Sequence, residues 1–422
     1  MPEWEEYMTD SISANPDNIG ADDRNARPLH PGGGANQLRV RAYNERLVLS
    51  LVRRNAGLSK AEIARLSGLS AQTVSVIMRA LEKDGLLMRG TPVRGNVGKP
   101  KVPMALNPDG VYSFGLKIGR RSTELILMDF VGSVRATKRE AYKYPTPDGI
   151  RRFVRDAIDD ILTGLDRNQI DRIAGVGIAA PFELWNWVDE VGAPVEDMNA
   201  WREVDLVDAI AAIVPFPVFQ QNDATAACGA ELVFGLGPNY SDFAYFFIGS
   251  FIGGGVVLNQ ALYAGRTGNA GAFGSMPVSS RSGHPSQLID QASIFVLEQM
   301  LTREGGDPAM LWRDPDYWHG LGKTLDIWIE HTARSLAIAI TSVCSVIDFE
   351  AVIVDGGFPA DVCERVVAAT RAAISELDLQ GIERPRIEQG RVGSAARAIG
   401  AASLPLFSRY LLDQNVLFKQ MA

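Results

Sequence analysis

Residues 58–85 most constrain what this chain can fold into, because they hold two short amphipathic patterns separated by a tight polar break. Ser59 and Glu62 have the spacing of a capping box, which predicts the start of a helix. Gly68 can adopt the positive φ of a helix exit, and Ser70 is a suitable N-cap for a second helix. The apolar stripe of that second helix consists of Val74, Ile77, Met78 and Leu81. This pattern predicts a helix-turn-helix, although a small helical hairpin with a solvated outer face would share it.

The flanking sequence favours DNA binding over a plain hairpin. Residues 44–52 have helical spacing and predict a third helix, while strand-like segments at 85–90 and 102–106 enclose a basic loop rich in glycine and proline. Residues 37–104 carry thirteen Lys and Arg against four Asp and Glu, a balance of +9, whereas the whole chain is at −8. A basic module on an acidic body indicates a nucleic-acid partner. We therefore predict a winged helix domain at 37–106.

The exposed positions of this module predict the contacts with double-stranded DNA. The start of the second helix would enter the major groove, and the basic loop of the wing would touch phosphates, which add affinity without sequence information. The predicted DNA-binding residues are Ser70, Gln72, Thr73, Ser75 and Arg79 of the helix and Arg94, Lys99 and Lys101 of the wing.

The rest of the chain has the composition of a globular protein of two or three domains. Residues 1–36 hold seven acidic and two basic residues and few aliphatic ones, which predicts a disordered acidic arm. No apolar run is long enough for a membrane span, and the N-terminus lacks a signal-peptide pattern. The three scattered cysteines, Cys228, Cys344 and Cys363, indicate neither a disulfide framework nor a zinc site. A cytoplasmic protein without membrane contact is expected.

Residues 107–422 alternate strand and helix patterns separated by glycine turns, which predicts an α/β fold. We expect two lobes facing each other across a cleft, as in actin, hexokinase and the sugar kinases (the ribonuclease H-like ATPase fold). In the first lobe the predicted elements are strands at 111–119, 124–130, 133–142 and 173–178 and a helix at 150–165. In the second lobe they are strands at 217–220, 243–248, 256–258 and 351–354 and helices at 224–234 and 325–346.

Four ordered segments carry a family resemblance: NDATAACGAELVFG from 222, IGSFIGGGVVLNQALYAG from 248, GNAGAFGSMPV from 268 and VDGGF from 354. Behind a winged helix, they resemble the ROK family of repressors, open reading frames and sugar kinases, over roughly residues 40 to 405. The resemblance implies a two-lobed, actin-like kinase domain at 107–422. It also implies a transcription regulator that responds to a sugar or sugar derivative and forms a homodimer or homotetramer.

The resemblance also implies where a ligand would bind. Asp223 occupies the position of the family's catalytic base, here vestigial, and Asn222 that of a neighbouring sugar contact. Gly253 and Gly254 fall where a phosphate loop lies, and Gly271 lies in the sugar-binding segment. From the residues alone, a strand-to-helix turn with a carboxylate N-cap is the alternative for Asn222-Asp223, and a tight hairpin is the alternative for the glycines.

Departures from the family pattern argue against kinase activity. The first phosphate loop usually reads Asp-x-Gly-Gly-Thr, whereas this chain has Lys117, Arg120 and Arg121 in that stretch. Bulky cations there would occupy the space of ATP phosphates and repel magnesium. The sugar clamp is depleted as well, with Ala272, Ser275 and Ile289 at the positions of a Glu, a His and a Glu.

Other departures concern metal binding and aromatic residues. The family's zinc-binding cysteine cluster is absent, so we expect neither a metal nor a cofactor, and interpret His284 as a loop histidine. Trp185, Trp187 and Trp201 near the lobe junction could stack on a sugar, but core aromatics are the more common interpretation.

The sequence therefore predicts a sugar-responsive, DNA-binding transcription regulator that acts as a repressor. One alternative is an ATP-dependent sugar kinase with an accessory DNA-binding domain. Another is a regulator without a small-molecule ligand, in which the cleft only supports the dimer.

Overall fold

The computed structural model describes residues 33–55, 57–91, 102–181, 184–187, 192–279 and 284–412. The described part starts with three helices and a hairpin, which confirms the predicted winged helix-turn-helix. The helices are α1 (Gly33–Arg54), α2 (Lys60–Ser67) and α3 (Ala71–Lys83), and the hairpin strands are β1 (Leu87–Arg89) and β2 (Met104–Leu106). Helix α1 begins within the last four residues of the predicted arm, and the rest of that arm lies outside the described residues.

A five-stranded sheet forms the first lobe, with strand order β5-β4-β3-β6-β7. Strands β3, β4 and β5 are antiparallel neighbours, and β6 and β7 run parallel to β3. The strands are β3 (Tyr112–Ile118), β4 (Ser122–Asp129), β5 (Val134–Ala141), β6 (Ile173–Ala180) and β7 (Val218–Asn222). The helices are α4 (Pro147–Thr163), α5 (Arg167–Ile170), α6 (Val195–Asn199) and α7 (Leu206–Ala211). The apolar face of α4 packs on this sheet to form the core of the lobe.

The second lobe contains a sheet with the same topology, in the order β10-β9-β8-β13-β14. Its strands are β8 (Phe243–Ile248), β9 (Ile252–Leu258), β10 (Ala261–Leu262), β13 (Ala351–Gly356) and β14 (Arg386–Gln389), and β11 (Pro277–Ser279) and β12 (Pro285–Gln287) form a separate hairpin. The helices are α8 (Asp223–Phe234), α9 (Ile289–Ala292), α10 (Ile294–Arg303), α11 (Met310–Arg313), α12 (Gly322–Val346), α13 (Ala360–Ser375) and α14 (Ala396–Arg409). Two sheets of identical topology confirm the predicted two-lobed fold.

The structure corrects the assignment of one strand. The segment at 217–220, predicted to open the second lobe, belongs to β7, which pairs with β6 as the fifth strand of the first sheet. Strand β7 is a partly exposed edge strand without an apolar run, so its pattern does not indicate which sheet it joins. Strand β14 was not predicted for a similar reason, because Ile387 is its one buried residue.

Helices α8 and α14 lie at the centre of the molecule. Each follows the fifth strand of one sheet and packs against the other lobe. The contacts are so close that glycine is needed on the facing strands: a Cβ on Gly177 of β6 would lie 1.8 Å from the carbonyl oxygen of Ala401, and one on Gly255 of β9 would lie 2.6 Å from the Cβ of Cys228. The two helices meet each other in the same way, where Gly400 faces Ala226.

None of the helices within the described residues is long and apolar enough to cross a membrane.

Candidate functional site

The helix-turn-helix is held by the local contacts that its sequence indicates. The Ser59 side chain accepts a hydrogen bond from the Glu62 backbone N–H, and the Glu62 side chain accepts from the Ser59 N–H, which completes the capping box. Gly68 ends α2 with a φ of 68°. The Ser70 hydroxyl accepts a hydrogen bond from the Thr73 N–H at 3.1 Å and caps α3. These caps set where α3 begins and therefore which of its side chains face outward.

The outward face of α3 contains most of the predicted contacts and one residue that was missed. Gln72 and Arg79 are exposed, whereas the Thr73 hydroxyl is 2.8 Å from that of Ser70 and belongs to the cap. Val76 lies between Gln72 and Arg79 on the same face and is 54% exposed. An exposed valine on an otherwise polar helix face can contact a thymine methyl group. The sequence could have indicated Val76, because it lies outside the buried stripe and about one helical turn after Gln72.

The wing is described only at its base. Strands β1 and β2 pair in antiparallel register from Leu87 with Leu106 to Arg89 with Met104. The predicted phosphate contacts Arg94, Lys99 and Lys101 lie outside the described residues, and their role stays a prediction.

A cavity of about 690 Å³ lies between the two lobes. Residues from both lobes line it, and it contains every ligand-binding residue that was predicted: Asn222, Asp223, Gly253, Gly254 and Gly271. Polar side chains also line it, namely Thr225, Ser250, Thr267, Asn269 and Ser275. The structure thus brings the predicted site residues together in a single cleft.

Asn222 and Asp223 have different positions at the N-terminus of α8. Asn222 is the N-cap, because its Oδ1 accepts hydrogen bonds from the N–H groups of Ala224 and Thr225. Asp223 is the first residue of the helix, and its Oδ2 lies 3.3 Å from an Nη of Arg397 at the start of α14. The N-cap is therefore the amide of Asn222, while the Asp223 carboxylate accepts a hydrogen bond from the Ala224 N–H at 3.0 Å through Oδ1 and pairs with Arg397 through Oδ2.

Arg397 and Lys117 are two buried basic side chains at the cleft, of which Arg397 lines the cavity. Arg397 is 7% exposed, and its Nε has no hydrogen-bond partner among the described residues. Lys117 is 5% exposed, and its Nζ donates to the Ser122 hydroxyl at 2.8 Å. Burial lowers the pKa of Lys117 well below its ordinary value, and the nearby charge of Arg397 lowers it further.

The arginines that replace the family's phosphate-loop residues bridge the two lobes. The Arg120 guanidinium lies 3.3 Å from the centre of the Phe251 ring, and Arg121 lies 3.7 Å from the Glu298 carboxylate. Arg139 on β5 donates to the carbonyl of Trp312 at 2.6 Å. These three first-lobe cations therefore contact the second lobe directly.

The glycines of β9 differ from the predicted phosphate loop. Gly253, Gly254 and Gly255 lie within the strand, and the turn that precedes them is formed by residues 249–251. A Cβ on Gly253 would lie 2.9 Å from the Cβ of Ala224, and one on Gly254 would lie 2.1 Å from the carbonyl oxygen of Tyr245. Close packing therefore requires these glycines, which fits the tight hairpin that the sequence left open, and a contact with an anion stays a prediction. Gly253 and Gly254 still line the cavity.

The tryptophans near the lobe junction divide between core and cleft. Trp201 is buried, and its Nε1 donates to the Pro145 carbonyl at 3.0 Å, so it belongs to the core. Trp185 lines the cavity with its ring 5.8 Å from the Arg202 guanidinium. The Trp187 side chain lies outside the described residues.

His284, which was interpreted as a loop histidine from the sequence, is exposed. Within the described ranges, no three His, Cys, Asp or Glu side chains come together as a group that could hold a metal ion. His284 lies at the surface, beside the segment 280–283 that is outside the described residues.

Helices α8 and α14 connect the cleft with the winged helix domain. Their N-termini carry Asp223 and Arg397, and their C-terminal ends carry Phe234 and Phe407. The Arg53 guanidinium of α1 lies between the two rings, 5.5 Å from the centre of Phe234 and 5.6 Å from that of Phe407. Burial lowers the pKa of Arg53 to about 10. The winged helix is therefore attached to the two elements that begin in the ligand cleft.

A second contact fixes α1 to the end of α14. Arg46 donates through Nε to the carbonyl of Leu411 at 3.0 Å and through Nη2 to that of Phe407 at 2.7 Å. The Ser50 hydroxyl accepts a hydrogen bond from the Leu412 N–H at 2.9 Å. Because the last carbonyls of a helix lack partners within it, a guanidinium placed there is stabilising.

Comparison with known proteins agrees with both parts of the structure. Residues 113–288 match the ROK family, and residues 41–88 match a family described as winged helix-turn-helix DNA-binding. The xylose repressor of Bacillus spizizenii is 29% identical over 245 residues, which cover 58% of this chain and 62% of the repressor. That match spans less than two thirds of the repressor's length.

Two solved structures share the fold. A ROK family transcriptional regulator, a homologue of the E. coli MLC protein, has a TM-score of 0.63 at 20% identity and covers 90% of this chain and 98% of its own. A ROK family glucokinase from Streptomyces griseus, in complex with glucose and AMPPNP, has a TM-score of 0.56 at 23% identity and covers 69% of this chain and 98% of its own. The family resemblance and the fold class predicted from the sequence are confirmed.

Proposed function

The chain contains a ROK family domain behind a winged helix-turn-helix DNA-binding domain, and from this premise we propose that it is a sequence-specific transcription regulator that acts as a repressor. Its DNA binding responds to a sugar or sugar derivative in the cleft. The observation that carries the proposal is the path of α8 and α14 from the cavity to α1. The similarity to a xylose repressor supports the same function.

The path suggests how a ligand alters DNA binding. A ligand between the lobes contacts the N-termini of α8 and α14, and closure of the lobes displaces these helices relative to each other. Arg53 touches the far ends of both helices, so the displacement reaches α1 and the recognition helix α3. In a homodimer or homotetramer, such a movement changes the distance between two winged helices. The two DNA half-sites lie one helical turn, or a multiple of it, apart, so the winged helices would no longer match them.

The DNA-binding part is tested by selecting bound genomic fragments with the purified full-length protein. We expect a palindrome, and we expect Arg79→Ala to weaken operator binding about tenfold or more while leaving random DNA nearly unaffected. Lys99→Ala should lower affinity for every sequence and reduce the salt dependence. Equal losses on operator and random DNA for both variants would contradict the assigned roles.

Kinase activity is not part of the proposed function. Asp223, the candidate general base, is paired with Arg397, and Arg120 and Arg121 bridge the lobes on the nucleotide side. We expect no phosphorylation of hexoses or amino sugars by ATP above the level of an Asp223→Ala variant, measured by release of ADP. Turnover that Asp223→Ala abolishes would establish the kinase alternative.

A thermal-shift experiment tests the alternative of a regulator whose cleft binds no small molecule. A ligand at one hundred times its dissociation constant should stabilise the protein by about 2.7 kcal/mol. A response to at least one sugar or sugar derivative is expected, because polar side chains of both lobes line the cavity. Unchanged melting across neutral sugars, sugar acids and sugar phosphates would leave the cleft as a scaffold.

A further inference from the structure

The charges around the cleft are strongly unbalanced. A smaller cavity of about 170 Å³ adjoins the main one, and Arg397 lines both. The charged residues that line the two cavities within the described part of the chain are four cations, Lys117, Arg120, Arg139 and Arg397, and two carboxylates, Glu124 and Asp223. Lys117, Arg120 and Arg397 are buried, where screening by solvent is weak, whereas Arg139 is exposed.

We propose that the cleft binds a polyhydroxylated ligand that carries one anionic group, a carboxylate or a phosphate, placed between Arg120 and Arg397. This inference rests on the proposed function, because it names the chemical class of the effector.

The geometry of Arg397 carries the proposal. Its side chain lines the main cavity and is more than nine-tenths buried. The Nε has no partner in the described structure but is itself inaccessible, so a ligand in the cavity would meet the Nη end of the guanidinium. Its contact with Asp223 joins one Nη to one carboxylate oxygen at 3.3 Å, which is long for a charge-assisted hydrogen bond and leaves bidentate pairing unused. A buried guanidinium with donor capacity left is a site for a carboxylate or a phosphate.

The neighbouring cations support the same position. Arg120 also lines the main cavity, and its stacking on Phe251 holds the guanidinium in a fixed place. Lys117 lies beneath, with its amino group held by Ser122. Its pKa is lowered by burial and by Arg397 and Arg139, and raised by Glu124 and Asp223. An anion near Arg397 would relieve the mutual repulsion of these cations.

The rest of the cavity suits hydroxyl groups. Asn269, Thr267 and Ser275 line its second-lobe side and Asn222 its first-lobe side. Ala272 and Ile289 also line it, and neither carries a charge that would repel an anion.

The test compares matched ligands by calorimetry on the full-length protein. The two series are glucose, glucuronate and glucose 6-phosphate, and galactose, galacturonate and galactose 6-phosphate. In at least one series we expect an anionic member to bind about tenfold or more tightly than the neutral sugar, a difference of about 1.4 kcal/mol. Tighter binding of the sugar acid or of the sugar phosphate shows whether the anionic group is a carboxylate or a phosphate.

Two variants distinguish an anion site from a neutral sugar site. Arg397→Gln should weaken the anionic ligand about tenfold or more, whereas Asp223→Asn should tighten it several-fold, because it frees Arg397. A neutral sugar held by the Asp223 carboxylate would show the opposite response to Asp223→Asn. The control is Arg334→Gln, which removes an exposed arginine paired with Glu330 on the surface of α12 and should leave binding unchanged. Circular dichroism establishes that each variant is folded, and Arg397→Lys, which keeps the charge, replaces Arg397→Gln if that variant unfolds.

The outcomes separate this inference from the proposed function. Tighter binding of neutral sugars, weaker anion binding in Asp223→Asn, or no binding by any member of either series overturns the anion site. If the protein still selects a DNA palindrome, the regulator function stands without it. If an anionic sugar binds but no DNA sequence is selected, the anion site stands and the regulator function fails.

Discussion

Replacing Gly400 with alanine is expected to lower the free energy of unfolding by about 3 kcal/mol. A Cβ at this position would lie 1.9 Å from the carbonyl oxygen of Ala226 and 2.4 Å from its carbonyl carbon. Both are backbone atoms of α8, so no side chain can rotate to make room. The helices would have to separate, and α14 is also held against β6 by the contact between Gly177 and Ala401. Urea unfolding followed by circular dichroism measures the change.

The matched control is Gly320→Ala. Gly320 is exposed, and no atom lies within 4 Å of the position that its Cβ would take. The two variants make the same chemical change, so their difference reports the packing between α8 and α14. Equal unfolding midpoints for both variants would contradict the described contact.

Replacing Arg46 with alanine is expected to cost about 3 kcal/mol and to separate the winged helix from the body. The guanidinium donates to the carbonyls of Phe407 and Leu411, which lie where α14 ends and lack partners within the helix. Removal would leave these carbonyls unpaired and would remove the cation that the negative end of the helix favours. We expect the variant to retain its affinity for the operator while its response to the cleft ligand decreases. Thermal unfolding and DNA binding with and without ligand measure the two effects.

The control for Arg46 lies on the same helix. Arg41 is exposed and pairs with Glu45 one turn further along α1, so Arg41→Ala should change stability by less than about 1 kcal/mol. Arg46→Lys should recover part of the loss, because an ammonium group cannot donate to two carbonyls with the fixed geometry of a guanidinium. If Arg46→Ala kept a full ligand response, α14 would not be the connection to the winged helix.

The sequence predicted the winged helix well because local contacts define it. Ser59, Glu62, Gly68 and Ser70 act on residues within one helical turn, and such signals are legible along the chain. The alternation of strands and helices predicted two lobes for the same reason. Strand β7 was assigned to the wrong lobe because its partner is decided by packing rather than by its own pattern.

The candidate site was predicted in part. Asn222, Asp223 and Gly271 were placed in the cleft by family resemblance, and they line the cavity. Arg397 was missed although it lies against Asp223, because the two residues are 174 positions apart in the chain and no local pattern links them. The glycines of β9 left two interpretations open in the sequence, because close packing and a phosphate loop both require glycine.

The connection between cleft and DNA could not be inferred from the sequence. Arg46 and Arg53 belong to an amphipathic helix whose partners lie near the other end of the chain, with Arg46 and Leu411 separated by 365 positions. Only the fold reveals that α8 and α14 both end at α1. The same helices begin at the cavity, and this common path is the basis of the proposed regulation.

The central claim is that a ligand in the cleft changes DNA binding, and a titration of the selected DNA site tests it most directly. Fluorescence anisotropy would follow binding of the labelled palindrome with and without the ligand that calorimetry shows to occupy the cavity. We predict that the ligand changes operator affinity about tenfold, within the usual range of allosteric coupling, with a midpoint between the ligand's dissociation constants for the free and the DNA-bound protein. An operator affinity that is identical with and without saturating ligand would contradict the claim.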